Sequence, residues 1–181
     1  MELIFYIAGF SYLLIIIAWI IGMMRIDSNV RNDIKTHYDF KIAVVVCARN
    51  ESKCIIELLK SIENQTISND RFCLYVINDA SEDETGTLVS EFLQNWPQGS
   101  HQVITNTLAK GKKPSISELI PTLKEEVIFT TDADCVLSPN LLKLVYVEFQ
   151  NDRTQLVSGT VLLQGNSKII SGFQEIEFFS L

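Results

Sequence analysis

Lys41-Ile42-Ala43-Val44-Val45-Val46-Cys47-Ala48-Arg49-Asn50-Glu51 opens on an unbroken apolar run and closes on three polar residues. A valine-rich run without polar alternation is what a strand buried on both faces of a parallel sheet requires. A helical pattern follows, with Ile55, Ile56, Leu58, Leu59 and Ile62 on one side and Asn64-Gln65 closing it. Strand and helix make a βα unit. The polar triplet between them falls at the carboxyl end of the strand, where open α/β sheets bind ligands.

The unit recurs along the chain. Phe72 to Ile77 is a second buried-strand run, followed by Asn78-Asp79-Ala80-Ser81-Glu82-Asp83-Glu84-Thr85. Ser81 with Glu84 three residues on has the capping-box pattern ahead of Leu88, Val89, Phe92 and Leu93. His101 to Thr105 reads as a short third strand with Gly111-Lys112-Lys113 in the loop after it, and a short helix from Pro114 is ended or kinked by Pro121. Val127 to Thr130 is a fourth strand leading into Thr131-Asp132-Ala133-Asp134. Ser138-Pro139 reads as a cap with proline at the first helical position, Gln155 to Leu163 as a fifth strand, and Gly172 to Leu181 as the start of a helix. The expected fold class is α/β, a mainly parallel sheet with helices on both faces.

Length and composition bound the function. The chain has 181 residues, 47% hydrophobic and 20% charged, which fits one domain plus an N-terminal segment. Its 15 basic and 22 acidic side chains give a net charge of −7, a poor footprint for a polyanionic backbone, so nucleic acid is not expected as a partner. From Leu3 to Met24 no residue is charged, and a helix of that length reaches across roughly 30 Å of hydrocarbon. Glu2 precedes the run and Met23, Met24 and Arg25 end it, unlike a cleaved signal peptide. The expectation is a transmembrane anchor over residues 1–25, a juxtamembrane linker over 26–40 and a nucleotide-binding domain over 41–181. Arg25, Arg31, Lys35 and Lys41 follow the run, which places the domain on the cytoplasmic side of the inner (plasma) membrane, with the bilayer as a partner. Cys47, Cys54, Cys73 and Cys135 form no CxxC pair and read as reduced.

The motifs suggest a nucleotide-diphosphate site with a metal. Asp132 and Asp134 follow an apolar strand, so their carboxylates stand together at a strand end. A hard divalent cation held there, Mn²⁺ or Mg²⁺, neutralises adjacent phosphate charges and stabilises a leaving diphosphate. An ordinary acidic turn is the plainer alternative. Asp79 ends the second strand, where a carboxylate can accept the N3–H of uracil, a donor that cytosine lacks, unless Asp79 and Ser81 only cap the next helix. Asn50 and Glu51 are placed to contact base or ribose, with Arg49 and Lys53 offsetting the diphosphate; helix capping by Asn50 is the alternative. Gly111-Lys112 sets a permissive glycine beside a cation. It is no P-loop, since the leading glycine and the following Ser or Thr are absent, and Lys110, Lys112 and Lys113 equally suit a solvated loop. Cys135 is a weak candidate for a soft metal, and His37 and His101 are isolated.

Taken in order, Arg49-Asn50-Glu51, Asp79-x-Ser81-x-Asp83-x-Thr85, Gly111-Lys112 and Asp132-x-Asp134 resemble the family 2 glycosyltransferases of GT-A fold, particularly the bacterial membrane-associated kind, from about Lys41 to the C-terminus. The resemblance implies that Asp79 reads the nucleobase, that Asp132 lies near ribose and diphosphate, that Asp134 ligates Mn²⁺ or Mg²⁺, and that Lys112 lies near the nucleotide. It further implies an inverting transferase that moves a sugar from a nucleotide-sugar donor, a UDP-sugar through Asp79 and family habit, to a lipid-linked or polysaccharide acceptor at the cytoplasmic membrane face. The chain departs from the family pattern at Asn78, where a second acid is common, and at Pro114, Ser115 and Pro121, where a long helix is usual. The family's catalytic base, an Asp or Glu in a later motif, is not assigned: Glu175 and Glu177 do not match it. The chain therefore reads as the donor-binding part of a larger enzyme. A non-catalytic nucleotide-sugar-binding fragment is the alternative. A nucleotidyltransferase is disfavoured because no glycine-rich loop follows the first strand.

Overall fold

The computed structural model describes residues 2–26, 39–96 and 100–159. They fall in two compact units, Met1–Thr36 and His37–Leu181. The first carries helix α1 (Glu2–Ile26). Among the described residues no helix is long and apolar enough to cross a membrane, which corrects the expected membrane-spanning helix over residues 1–25.

The second unit is built on β1 (Ile42–Ala48), β2 (Phe72–Asp79), β3 (Ser100–Asn106) and β4 (Val127–Asp132). All three pairings are parallel and the strand order is β3-β2-β1-β4. The strands alternate sides with the two-residue period of an extended chain. Val44, Val46, Leu74 and Val76 face one way, where α2 (Ile55–Glu63), α3 (Thr85–Gln94) and α5 (Leu141–Glu148) supply Ile55, Leu58, Leu59, Ile62, Val89, Leu93, Leu142 and Val145 to one core. Ala43, Val45, Cys73, Tyr75 and Ile77 face the other way, where α4 (Lys112–Leu119) contributes Ile116 and Leu119. Helices on both faces explain why β1 and β2 read as continuous apolar runs. The mainly parallel sheet is consistent with the GT-A class.

Two helix starts differ from the sequence reading. Helix α3 begins at Thr85 with no side-chain cap at Glu84, because Ser81 Oγ accepts the Asn50 N–H of the neighbouring loop. Helix α5 begins at Leu141, after Ser138-Pro139, with no side-chain cap of its own at Asn140. Gln65, beyond the end of α2, serves α5 from across the fold: its Oε1 accepts from Leu142 N at 2.9 Å and its Nε2 donates to Ser138 O at 2.8 Å. A buried amide thus satisfies one of the open N–H groups that a helix start leaves. Residues 155–159 form no strand. The rest of the expected fifth strand and the helix expected over 172–181 lie outside the described residues.

Candidate functional site

The strand order reverses at β1. From β1 the chain steps to β2 and β3 on one side and returns to place β4 on the other. A crevice forms outside the carboxyl ends of strands at such a switch point. Register sets what lies along this edge: Asp132 of β4 pairs with Cys47 of β1, Ala48 with Asn78 of β2, and Asp79 with Asn106 of β3. All four motifs therefore reach one edge. A cleft of about 400 Å³ opens there, lined by Arg49, Asn78, Ser81, Glu82, Asn106 and Leu108 among others. A second cleft, of about 320 Å³, lies among Asp39, Lys41, Arg71 and Glu126 at the amino ends of the strands, far from these motifs.

The loops after β1 and β2 are sewn together. Asn50 N donates to Ser81 Oγ (3.1 Å), Glu51 N to Thr85 Oγ1 (2.8 Å) and Ser52 N to Asp83 Oδ2 (3.1 Å). In return Glu82 N donates to Asn50 Oδ1 (2.8 Å). The spacing Ser81-x-Asp83-x-Thr85 is thus a ladder of acceptors for three successive backbone N–H groups. Hydrogen bonds from Thr85 and Ser52 hold the Asp83 carboxyl well below the usual range. The stitching keeps Asn50 and Ala80 in left-handed backbone conformations, with φ of 57° and 52°, strain that persists only where surrounding bonds over-determine it. Asn50 and Glu51 act in this clasp, while Arg49 is exposed and faces the cleft.

Asp79 sits below the cleft and is 1% exposed. Its Oδ1 accepts from Asn106 Nδ2 (2.7 Å), Lys110 N (3.0 Å) and Ser115 Oγ (3.2 Å). Its Oδ2 accepts from Gly111 N at 2.7 Å. Gly111 holds φ +88°, which an L side chain adopts only under strain, so glycine is needed where the chain turns into α4. The Lys110 N–H first, with burial opposing, then Asn106, Gly111 and Ser115 bring the Asp79 carboxyl from 3.8 down to about 2. A folded-state value below the unfolded one means this stabilisation is complete above the unfolded value and drains away as pH falls towards the folded one. The shift corresponds to about 2 kcal/mol. Urea unfolding should therefore show a deficit of that order for Asp79→Asn at about pH 6 that shrinks by more than half near pH 2.5; a deficit independent of pH would show that the charge is not what stabilises.

Asp132 and Asp134 are exposed while Ala133 between them is buried. This is the local reason the two carboxylates share a side. One oxygen from each, with Cys135 Sγ, lies within 4.8 Å of the others. Two carboxylates at that spacing fit a hard divalent cation, and the thiol adds little affinity for one. Lys112 ion-pairs with Asp132. Cys47 lies near this group; burial, then the charge of Asp79, pushes its thiol up, with Lys112 acting in the opposite sense. Asn106, Ser115 and Cys47 were not legible as site residues. The available signal was positional, since Asn106 ends β3 as Asp79 ends β2.

Residues 43–170 match the family model for glycosyl transferase family 2. The chain belongs to that family. This family 2 domain is 24% identical over 116 residues to the beta-monoglucosyldiacylglycerol synthase of Nostoc sp., covering 64% of this chain and 25% of that protein. Its fold is similar to the mannosyltransferase PcManGT from Pyrobaculum calidifontis, solved in complex with GDP-Man and Mn²⁺, with a TM-score of 0.62 and 23% identity over 68% of this chain and 35% of that one. It is also similar to S. aureus TarS 1-349, solved in complex with UDP, with a TM-score of 0.51 and 27% identity over 58% of this chain and 30% of that one. The family 2 chain spans about a quarter to two-fifths of the length of the curated relatives it matches.

Proposed function

We propose that this chain is the donor-binding part of an inverting glycosyltransferase that moves a sugar from a nucleotide-sugar, a UDP-sugar in the first instance, to a lipid-linked or polysaccharide acceptor. The observation that carries the reading is the convergence of Asp132, Asp134 and Lys112 at the switch point beside the 400 Å³ cleft. The nucleoside lies in the cleft, against Arg49 and the loop after β3, and the diphosphate points towards Lys112 and the two acids. Asp132 and Asp134 would hold Mn²⁺ or Mg²⁺, which supplies neutralisation of the leaving diphosphate. Lys112, paired with Asp132 before the donor arrives, is within reach of phosphate oxygen once that carboxylate is engaged elsewhere. The clasp through Asn50, Glu51 and Asp83 fixes the floor on which the nucleoside rests, so little ordering remains to oppose binding.

The similarity to a glucosyldiacylglycerol synthase supports a lipid acceptor, and a lipid acceptor places the reaction at a membrane surface. The four cysteines are all free, which fits the reducing, cytoplasmic face. Calorimetric titration of the 181-residue chain with UDP and GDP, with and without Mn²⁺, tests the reading. The expected result is nucleotide binding that tightens by about tenfold or more with Mn²⁺, or about 1.4 kcal/mol. Absence of binding, or binding indifferent to the metal, would count against it.

A further inference from the structure

We infer that Lys112 is a built-in counter-ion of the site: paired with Asp132 while no donor is bound, it opposes a divalent cation that arrives alone, so that cation and nucleotide bind together. The inference rests on the proposed nucleotide site and deepens it. Lys112 and Lys113 open helix α4. Cations in a first turn face the positive end of the helix macrodipole, and no acid stands in that turn to offset them. The arrangement is unfavourable for the helix and calls for an anion from elsewhere. Asp132, 20 residues further along at the end of β4, supplies it. The two side chains are 44% and 61% exposed, and an ion pair so open to water contributes little to stability. The contact is therefore readily exchanged for another.

The pair changes what the two acids offer a cation. An oxygen of Asp132 and one of Asp134 lie within 4.8 Å of each other, and with Lys112 on Asp132 two carboxylates and one ammonium leave a net charge of −1. A divalent cation held by Asp132 also stands close to the ammonium that touches the same carboxylate, and like charges so near repel. A nucleoside diphosphate alters both terms. Its oxygens give Lys112 a second partner and add hard ligands for the cation. By linkage, the factor the cation adds to nucleotide affinity is the factor the nucleotide adds to cation affinity. Lys112 enlarges that factor, because its pair with Asp132 is broken once for both ligands together instead of once for each alone.

Lys112→Met tests this in the 181-residue chain. Lys113→Met is the control: it removes the same charge one residue along, from an exposed side chain with no ion pair among the described residues. Titration with Mn²⁺ alone, followed by the electron paramagnetic resonance of the free ion, should give a dissociation constant about fivefold lower for Lys112→Met than for the wild type. For Lys113→Met it should stay within about twofold. In calorimetry Lys112→Met should weaken binding of UDP without metal by about fivefold, and the factor by which Mn²⁺ tightens UDP binding should fall by about fivefold. An unchanged Mn²⁺ constant in Lys112→Met would overturn the inference, and so would Mn²⁺ binding to none of the three proteins. An equal shift in both lysine variants would also overturn it, because net charge rather than the pair would then be acting. A wild type that takes up Mn²⁺ but binds no UDP under any condition defeats the proposed function instead, and the Mn²⁺ titrations still decide whether Lys112 competes for the acids.

Discussion

Asp134→Asn should weaken Mn²⁺-dependent UDP binding by about 100-fold, or about 2.7 kcal/mol, while leaving metal-free nucleotide binding within about twofold of the wild type. The substitution keeps the shape of the side chain and one oxygen but removes the charge that a hard cation requires. Asp134 is the cleaner test of the pair. It is exposed and has no ion pair among the described residues, whereas Asp132 neutralises Lys112 and its loss would also free that ammonium. Chelation of the metal from the wild type should reproduce the variant's affinity. Equal loss with and without metal would mean that Asp134 touches the nucleotide itself.

Leu74→Ala should reduce stability by about 2–5 kcal/mol, the range for removing a buried leucine where neighbours cannot close the gap. Leu74 is fully buried in the middle of β2, between β1 and β3, on the face covered by α2, α3 and α5. Parallel strands on either side fix its backbone, so the cavity cannot collapse by strand movement. Against a typical domain stability of about 5–15 kcal/mol, the loss is a large share. Urea unfolding should show a lower midpoint at an unchanged slope; a changed slope would instead signal that the native or denatured ensemble had altered. Nucleotide affinity of the folded fraction should stay within about twofold, because Leu74 lies in the apolar core, five residues before the carboxyl end of β2.

Much of the domain was legible in order along the chain. The strand expected at Ile42 to Cys47 is β1 (Ile42–Ala48), Phe72 to Ile77 is β2 (Phe72–Asp79), and Val127 to Thr130 is β4 (Val127–Asp132). β1 was read short by Ala48 alone, whereas β2 and β4 were read short because a strand can end in polar residues, Asn78-Asp79 and Thr131-Asp132, that still pair in or close the ladder. The capping box at Ser81 and Glu84 failed for a different reason. Ser81 had a stronger use across space, as acceptor for Asn50 N, and a motif scored within one element cannot see a partner 31 residues away. The apolar run from Leu3 to Met24 was legible as the helix α1, but not as a span, which the described residues do not provide.

The sequence by itself determined the alternation of buried strands and amphipathic helices, and the arrival of Arg49, Asp79, Gly111 and Asp132 at the ends of strands or in the loops after them. Those features follow from side-chain period and apolar runs, which are local and survive without knowledge of neighbours. Only the tertiary structure decided that β4 returns beside β1, bringing Asp132 to Cys47 and within reach of Lys112. It alone decided too that Asp79 is filled by Asn106, Lys110, Gly111 and Ser115. A carboxylate's role depends on which donors reach it and how much water is left around it, and in this chain those donors lie 27 to 36 residues further along.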